Sequence, residues 1–148
     1  YKQVVRGGTG HVEAVQITFV PAQVSAETLL SMFFRSIDPT DAGGQFCDRG
    51  QTYTTAIFTG PGQGAAAEQA KADAQAALGQ PIVTPLLPAT EFYPADGYHQ
   101  DYYKQGAVIL TRFGPKSKAK AYKAYREACG RDARVKEVWG ADAPVVGS

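Results

Sequence analysis

The stretch from Asp38 to Phe58, DPTDAGGQFCDRGQTYTTAIF, constrains the fold of this chain more than any other. It opens where a helix has to stop. Asp38 precedes Pro39, and the proline ring disfavours the helical conformation at the residue before it. It closes in Tyr53 to Thr59, a run rich in β-branched and aromatic residues that reads as a strand ended by Gly60-Pro61-Gly62. Asp38, Asp41, Cys47, Asp48, Arg49 and Tyr53 are thereby mounted on a glycine-punctuated loop between two buried elements. Loops held by a rigid frame are where sites tend to lie. The competing reading is a solvated connection whose glycines only turn the chain.

The flanking segments fix the class. Leu29, Leu30, Phe33, Phe34 and Ile37 recur at three- and four-residue spacings, which makes a helix with a wide apolar stripe, capped by Ser25 with Glu27 in its first turn. Before it, Val15, Ile17 and Phe19 alternate with polar and small residues from Val12 to Val20, the pattern of a strand ended by Pro21. Glu13 shares the parity of the apolar positions, so it falls at the edge of the expected buried face. A desolvated carboxyl has a raised pKa and can donate a proton near neutral pH. The competing reading is a strand-end carboxylate turned into water.

An alanine-rich helix is expected from Ala65 to Leu78, with Gly79 as its cap, packed through small residues and free of chemistry. Ile82 to Leu87 reads as an edge or irregular strand because Pro85 interrupts it. Five aromatics crowd ATEFYPADGYHQDYY, from Ala89 to Tyr103, together with His99. They make either a satellite core or a pocket wall with a hydrogen-bonding rim. Ala107 to Leu110 reads as a strand or docked extended segment, Lys116 to Cys129 as a helix ended by Gly130, and Val135, Val138 and Trp139 as anchors of the last stretch. A domain over residues 1–140 and a flexible tail over 141–148 follow.

With 148 residues, 16 glycines and nine prolines, the chain has room for one core with many turns. It contains no apolar run long enough to span a membrane. Two cysteines so distant in sequence argue against a disulfide framework and for a reduced compartment or a redox pair. Cys47, followed by Asp48, reads as a packing residue of the loop, because the carboxylate disfavours a thiolate. His11, Cys47, His99 and Cys129 lack the short spacings of zinc sites, and no glycine fingerprint or phosphate-loop lysine marks a nucleotide. The cations from Lys116 to Lys136 leave open a basic nucleic-acid-binding module, although a solvated helix face explains them equally.

Four blocks in order, GTGHVEAVQITF (Gly8 to Phe19), the Asp38 to Phe58 loop, FYPADGYHQDYY (Phe92 to Tyr103) and CGRDARVKEVWG (Cys129 to Gly140), closely resemble peptide methionine sulfoxide reductase A. The resemblance implies an α+β, two-layer fold of the ferredoxin-like type, with a mixed sheet and packed helices. It also implies reduction of methionine S-sulfoxide, free or in proteins, by thiol chemistry, with thioredoxin as reductant and no cofactor or metal. By the same resemblance Glu13 is the acid, Asp48, Tyr53 and Tyr1 bind around the sulfoxide, and Cys129 is the resolving cysteine. His99, Tyr98 and Phe92 line the substrate pocket. The family's attacking cysteine lies in a Gly-Cys-Phe-Trp motif ahead of the position of Tyr1. The expectation is therefore a natural protein with that segment, its strand and its helix. Ile37 stands where the family often has a histidine, and Trp139, the one tryptophan, lies at the other end of the chain from the family's motif. The remaining expectations are a cytoplasmic monomer, with export left open, and no binding to nucleic acid or membrane. The alternative is an inactive paralogue or fragment that binds methionine-containing peptides.

Overall fold

The computed structural model describes residues 1–144, so half of the expected tail, residues 145–148, lies outside the described residues. The fold is α+β. Helix α1 (Lys2–Val5) and an irregular segment lead to α2 (Ala26–Arg35). The minimal hairpin β1 (Gly44–Gln45) and β2 (Asp48–Arg49) follows, then a 3-10 turn (Gln51–Tyr53), β3 (Ile57–Thr59), α3 (Gly64–Leu78) and β4 (Leu86–Pro88). A 3-10 turn (Tyr102–Lys104) precedes the hairpin β5 (Val108–Thr111) and β6 (Gly114–Ser117). Helices α4 (Lys118–Ala128) and α5 (Arg131–Trp139) close the chain. Strand pairing is mixed: β3 and β4 are parallel, with Ile57 opposite Leu86, while β1–β2 and β5–β6 are antiparallel.

The core follows from the helix patterns. The Ser25 hydroxyl accepts the Thr28 N–H at 3.1 Å and starts α2, which buries Phe34 completely. Ala67, Ala70 and Ala74 form the buried stripe of α3 and let it approach α2 closely; Gly79, at φ +66°, ends it in the left-handed conformation its missing Cβ permits. Ile37, Ile57 and Ile82 complete the centre with Val135 and Trp139 of α5.

Three expectations change. Val12 to Val20 is not a strand: it belongs to no ladder among the described residues, and Val15 and Ile17 are 84% and 57% exposed. Alternation alone cannot make a strand, because its N–H and C=O groups need a partner. The expected second strand, Tyr53 to Thr59, shortens to β3, since Gln51–Tyr53 coils into a 3-10 turn. The distant cysteines do form a disulfide, between Cys47 and Cys129, with Cα atoms 5.5 Å apart.

Candidate active site

The site is assembled around the buried Thr52. Its hydroxyl donates to the Val4 carbonyl at 3.1 Å, and its own carbonyl accepts the Glu13 N–H at 2.9 Å. One residue of the 3-10 turn therefore fixes both the α1 helix, which begins beside Tyr1, and the segment carrying Glu13. Tyr53 follows Thr52 directly, and Asp48 stands on β2 just before the turn.

These placements bring Tyr1, Glu13, Asp48 and Tyr53 within electrostatic reach of one another. The Glu13 carboxyl is pushed above its ordinary range, first by desolvation and then by the Asp48 charge, against the opposing effects of the Tyr1 hydroxyl and His99. The Tyr1 hydroxyl is pushed up to about 12 by desolvation and by the Glu13 carboxylate beside it. Tyr53 is raised as well, by desolvation and then by Glu13 and Asp48. The strand parity that marked Glu13 is absent, and Glu13 is an exposed residue; its raised pKa comes first from partial desolvation and then from the Asp48 charge. A carboxyl whose pKa is raised, flanked by two phenols whose pKa values are raised as well, gathers potential proton donors at one place.

The aromatic segment supplies the rim. The His99 ring stacks on Tyr1 with centroids 3.7 Å apart, and Tyr98 meets His99 edge-on at 5.0 Å. Phe92 is 40% exposed and makes none of the aromatic pairings among the described residues, whereas its neighbour Tyr93 meets His11 edge-on at 5.5 Å. Lys118 orders the segment from beneath: its buried ammonium donates to the Tyr98 carbonyl and to Gln105 Oε1, each at 2.7 Å, and lies 3.5 Å from the Tyr98 ring centroid.

On the other side, α5 is clamped to the loop. Arg134 Nε donates to Asp38 at 2.8 Å, and Trp139 Nε1–H donates to the Ile37 carbonyl at 3.0 Å. Desolvation alone would raise Asp38, but hydrogen bonds from Thr40 and Arg134 outweigh it and hold the carboxyl below its ordinary value. Cys47 is thus corrected from a packing residue to the disulfide partner of Cys129. Arg131 carries no sequence mark of its place beside the site. Its guanidinium stands over the Phe46 ring at 4.8 Å, and desolvation followed by repulsion from Arg126 lowers its pKa. Part of the basic run is engaged within the fold. Lys118 is buried, Arg126 pairs with Asp132, and Arg134 pairs with Asp38 and Glu137.

Among the described residues, no group of three or more His, Cys, Asp or Glu side chains is placed to hold a metal ion, and no helix is long and apolar enough to cross a membrane. The structure thus brings a carboxyl and two phenols within electrostatic reach of one another, with a disulfide at the tip of the hairpin that carries Asp48. Residues 1–141 match the peptide methionine sulfoxide reductase family. The chain is 43% identical over 141 residues to peptide methionine sulfoxide reductase MsrA 2 of Caulobacter vibrioides, covering 95% of this chain and 66% of that protein. It is 43% identical over 143 residues to the protein of the same name from Staphylococcus aureus, covering 95% of this chain and 74% of that one. The crystal structure of Mxr1 from Saccharomyces cerevisiae in reduced form superposes with a TM-score of 0.66 at 32% identity, covering 69% of this chain and 57% of that one. The chain belongs to the peptide methionine sulfoxide reductase family. It spans about two thirds of the length of the Caulobacter relative.

Proposed function

We propose that this domain reduces methionine S-sulfoxide, free or in oxidised proteins, to methionine, with thioredoxin as the dithiol reductant. The observation that carries the reading is the convergence of Tyr1, Glu13, Asp48 and Tyr53, with the Glu13 carboxyl pushed up where a sulfoxide oxygen would need a proton. In this reading an attacking thiolate bonds to the sulfoxide sulfur while Glu13 protonates the oxygen and Tyr1 and Tyr53 donate hydrogen bonds to it. The hydroxyl then passes from the substrate sulfur to the cysteine sulfur, the bond between the two sulfurs breaks, methionine leaves, and the thiol is left as a sulfenic acid. Asp48 orients the substrate side, His99 and Tyr98 line the pocket with Phe92 at its margin, and Cys129 resolves the sulfenic acid. The attacking thiol is assigned to a Gly-Cys-Phe-Trp segment outside these 148 residues, which contain no such motif.

Residues 1–140 form the catalytic domain in this proposal, which acts as a cytoplasmic monomer without cofactor, where dithiol reductants are maintained. The MsrA 2 relatives support the substrate class through their names. The test is methionine S-sulfoxide turnover by the full-length protein. Glu13→Gln lowers the rate roughly a hundredfold or more if Glu13 is the acid; an unchanged rate rejects that role. Absence of turnover in the unsubstituted protein favours the binding-only paralogue instead.

A further inference from the structure

The β5–β6 hairpin carries its apolar face in water. Alternation along β5 sends Val108 and Leu110 to one side, and the ladder sets Leu110 opposite Pro115, so the three share a face. Val108 is 72% exposed and Leu110 84%, whereas Ile109, on the other side, is half-buried. The hairpin is fixed at both ends. The Ala107 carbonyl accepts the Lys118 N–H at 2.9 Å, and the Gln105 carbonyl accepts the Ala119 N–H at 3.1 Å, which ties its root to α4. In the turn, the Arg112 guanidinium lies 4.8 and 5.2 Å from the ring centroids of Phe113 and Tyr125. Contiguous apolar side chains held out in water on an ordered element mark a contact surface.

The charge around this face decides what it fits. From Tyr102 to Arg126 the chain has seven cations and no carboxylate. Lys104 pairs with Asp101, Arg126 pairs with Asp132, and Lys118 is buried at the root of the hairpin. Arg112, Lys116, Lys120 and Lys123 pair with no carboxylate among the described residues. Aliphatic side chains in water beside unneutralised cations are complementary to a surface whose anionic groups overlie hydrocarbon, which is the make-up of an anionic phospholipid layer. A nucleic acid would engage the cations and stack bases on the aromatic rings but leave Val108 and Leu110 in water. Although no helix among the described residues is long and apolar enough to cross a membrane, lying on its surface requires none.

We propose that the β5–β6 hairpin is a membrane-surface anchor: Val108, Leu110 and Phe113 enter the boundary between headgroups and acyl chains of an anionic phospholipid layer, while Arg112 and Lys116 meet its phosphates. Lys120 and Lys123 add longer-range attraction to the same layer. The association is reversible, because it depends on a few apolar side chains and on charges that salt screens. It uses none of Tyr1, Glu13, Asp48 and Tyr53, so its failure leaves the sulfoxide chemistry proposed above standing.

The full-length protein is sedimented with vesicles of phosphatidylcholine alone and of phosphatidylcholine with about one third phosphatidylserine. Binding is expected to the anionic vesicles, falling steeply as salt is added, with little to the neutral ones. Val108→Ser combined with Leu110→Ser lowers the vesicle-bound partition about tenfold or more. Arg112→Gln combined with Lys116→Gln lowers it about 25-fold, near fivefold for each cation. Hydrogen exchange over residues 107–117 slows when anionic vesicles are added. In the absence of vesicles the serine pair keeps the parent's thermal midpoint, because both side chains it replaces are exposed. A lowered midpoint shows instead that another segment of the protein covers this face, and a parent dimer that the serine pair makes monomeric shows that a second copy does; either result overturns the proposal. No binding to anionic vesicles, or binding that the serine pair leaves unchanged, overturns it too. Salt-sensitive binding to oligouridylate without binding to vesicles overturns it in favour of a nucleic acid.

Discussion

Replacing Asp38 by asparagine isolates the ion pair that ties α5 to the site loop. In the native chain Asp38 Oδ1 accepts from the Thr40 N–H at 3.0 Å and the Thr40 hydroxyl at 2.6 Å, and Oδ2 accepts from Arg134 Nε at 2.8 Å. Asparagine keeps the first oxygen and sets an NH2 against the Arg134 donor. A hydrogen bond to a charged partner contributes roughly 1.5–3 kcal/mol. Because the Arg134 side chain is 43% exposed and can turn to water, the loss should sit near the middle of that range, about 2 kcal/mol. With a urea dependence of about 2 kcal/mol per molar, the unfolding midpoint falls by about 1 M at pH 7. Trp139 is 6% exposed and is the one tryptophan, so its fluorescence reports the transition at the same joint. The pH dependence follows from the sign of the shift. Asp38 has its pKa lowered on folding, so its contribution is present above the unfolded value of 3.8 and is lost as pH falls through the folded value. The gap between parent and variant must therefore close in acid. Equal stability at pH 7, or a gap that persists below the folded pKa, refutes the reasoning.

Glu13→Gln should separate stability from activity. The Glu13 pKa is raised on folding, so protonation favours the native chain; that advantage is full below the unfolded value of 4.5 and is lost as pH rises through the raised value. Glutamine, which mimics the protonated acid, is expected to raise the thermal midpoint near neutral pH and to leave it unchanged in acid; a lower midpoint at pH 7 contradicts the assignment. Lys118→Met leaves the Tyr98 carbonyl and Gln105 Oε1 without their ammonium donor and should cost about 1–3 kcal/mol. Hydrogen exchange over residues 98–105 should quicken in that variant, and unchanged protection there would dismiss Lys118 as the organiser of the aromatic rim. Gly44→Ala is expected to displace Asp48, because Gly44 has φ +137° and an added Cβ falls on the Asp48 carbonyl oxygen. Sulfoxide turnover that survives this substitution would remove Asp48 from the site.

Local signals proved readable in the sequence and pairing did not. The Ser25 cap, the Phe34 stripe and the Gly79 terminator each depend on a few adjacent residues, and the structure has them, while the helix expected to stop at Asp38-Pro39 already ends at Arg35 with Ser36 as its cap. Val12 to Val20 carried as clear an alternation, but a strand is defined by a neighbour, and Val15 and Ile17 remain in water. The candidate site was legible by resemblance at Tyr1, Glu13, Asp48 and Tyr53, while Thr52, which positions Tyr1 and Glu13, left no sequence mark. Its role rests on contacts with Val4, 48 residues away along the chain, and with Glu13, 39 residues away. Cys47 was misjudged because the adjacent Asp48 is visible in sequence, whereas the approach of Cys129 and Arg131 from 82 and more residues away is not.

That long-range approach explains how the Asp38 to Phe58 loop is held along its whole length. Its first half is gripped by α5 through Ile37 and Asp38, its hairpin tip by Cys129, and its second half holds Tyr1 and Glu13 through Thr52. The contacts at the first half are a hydrogen bond, an ion pair and apolar burial, which a thiol reagent does not touch. The contact at the tip is covalent and can be opened by electrons alone. The Trp139 hydrogen bond to Ile37 and the Thr52 contacts with Val4 and Glu13 involve no sulfur. The geometry around Glu13 is therefore set by contacts that are separate from the disulfide.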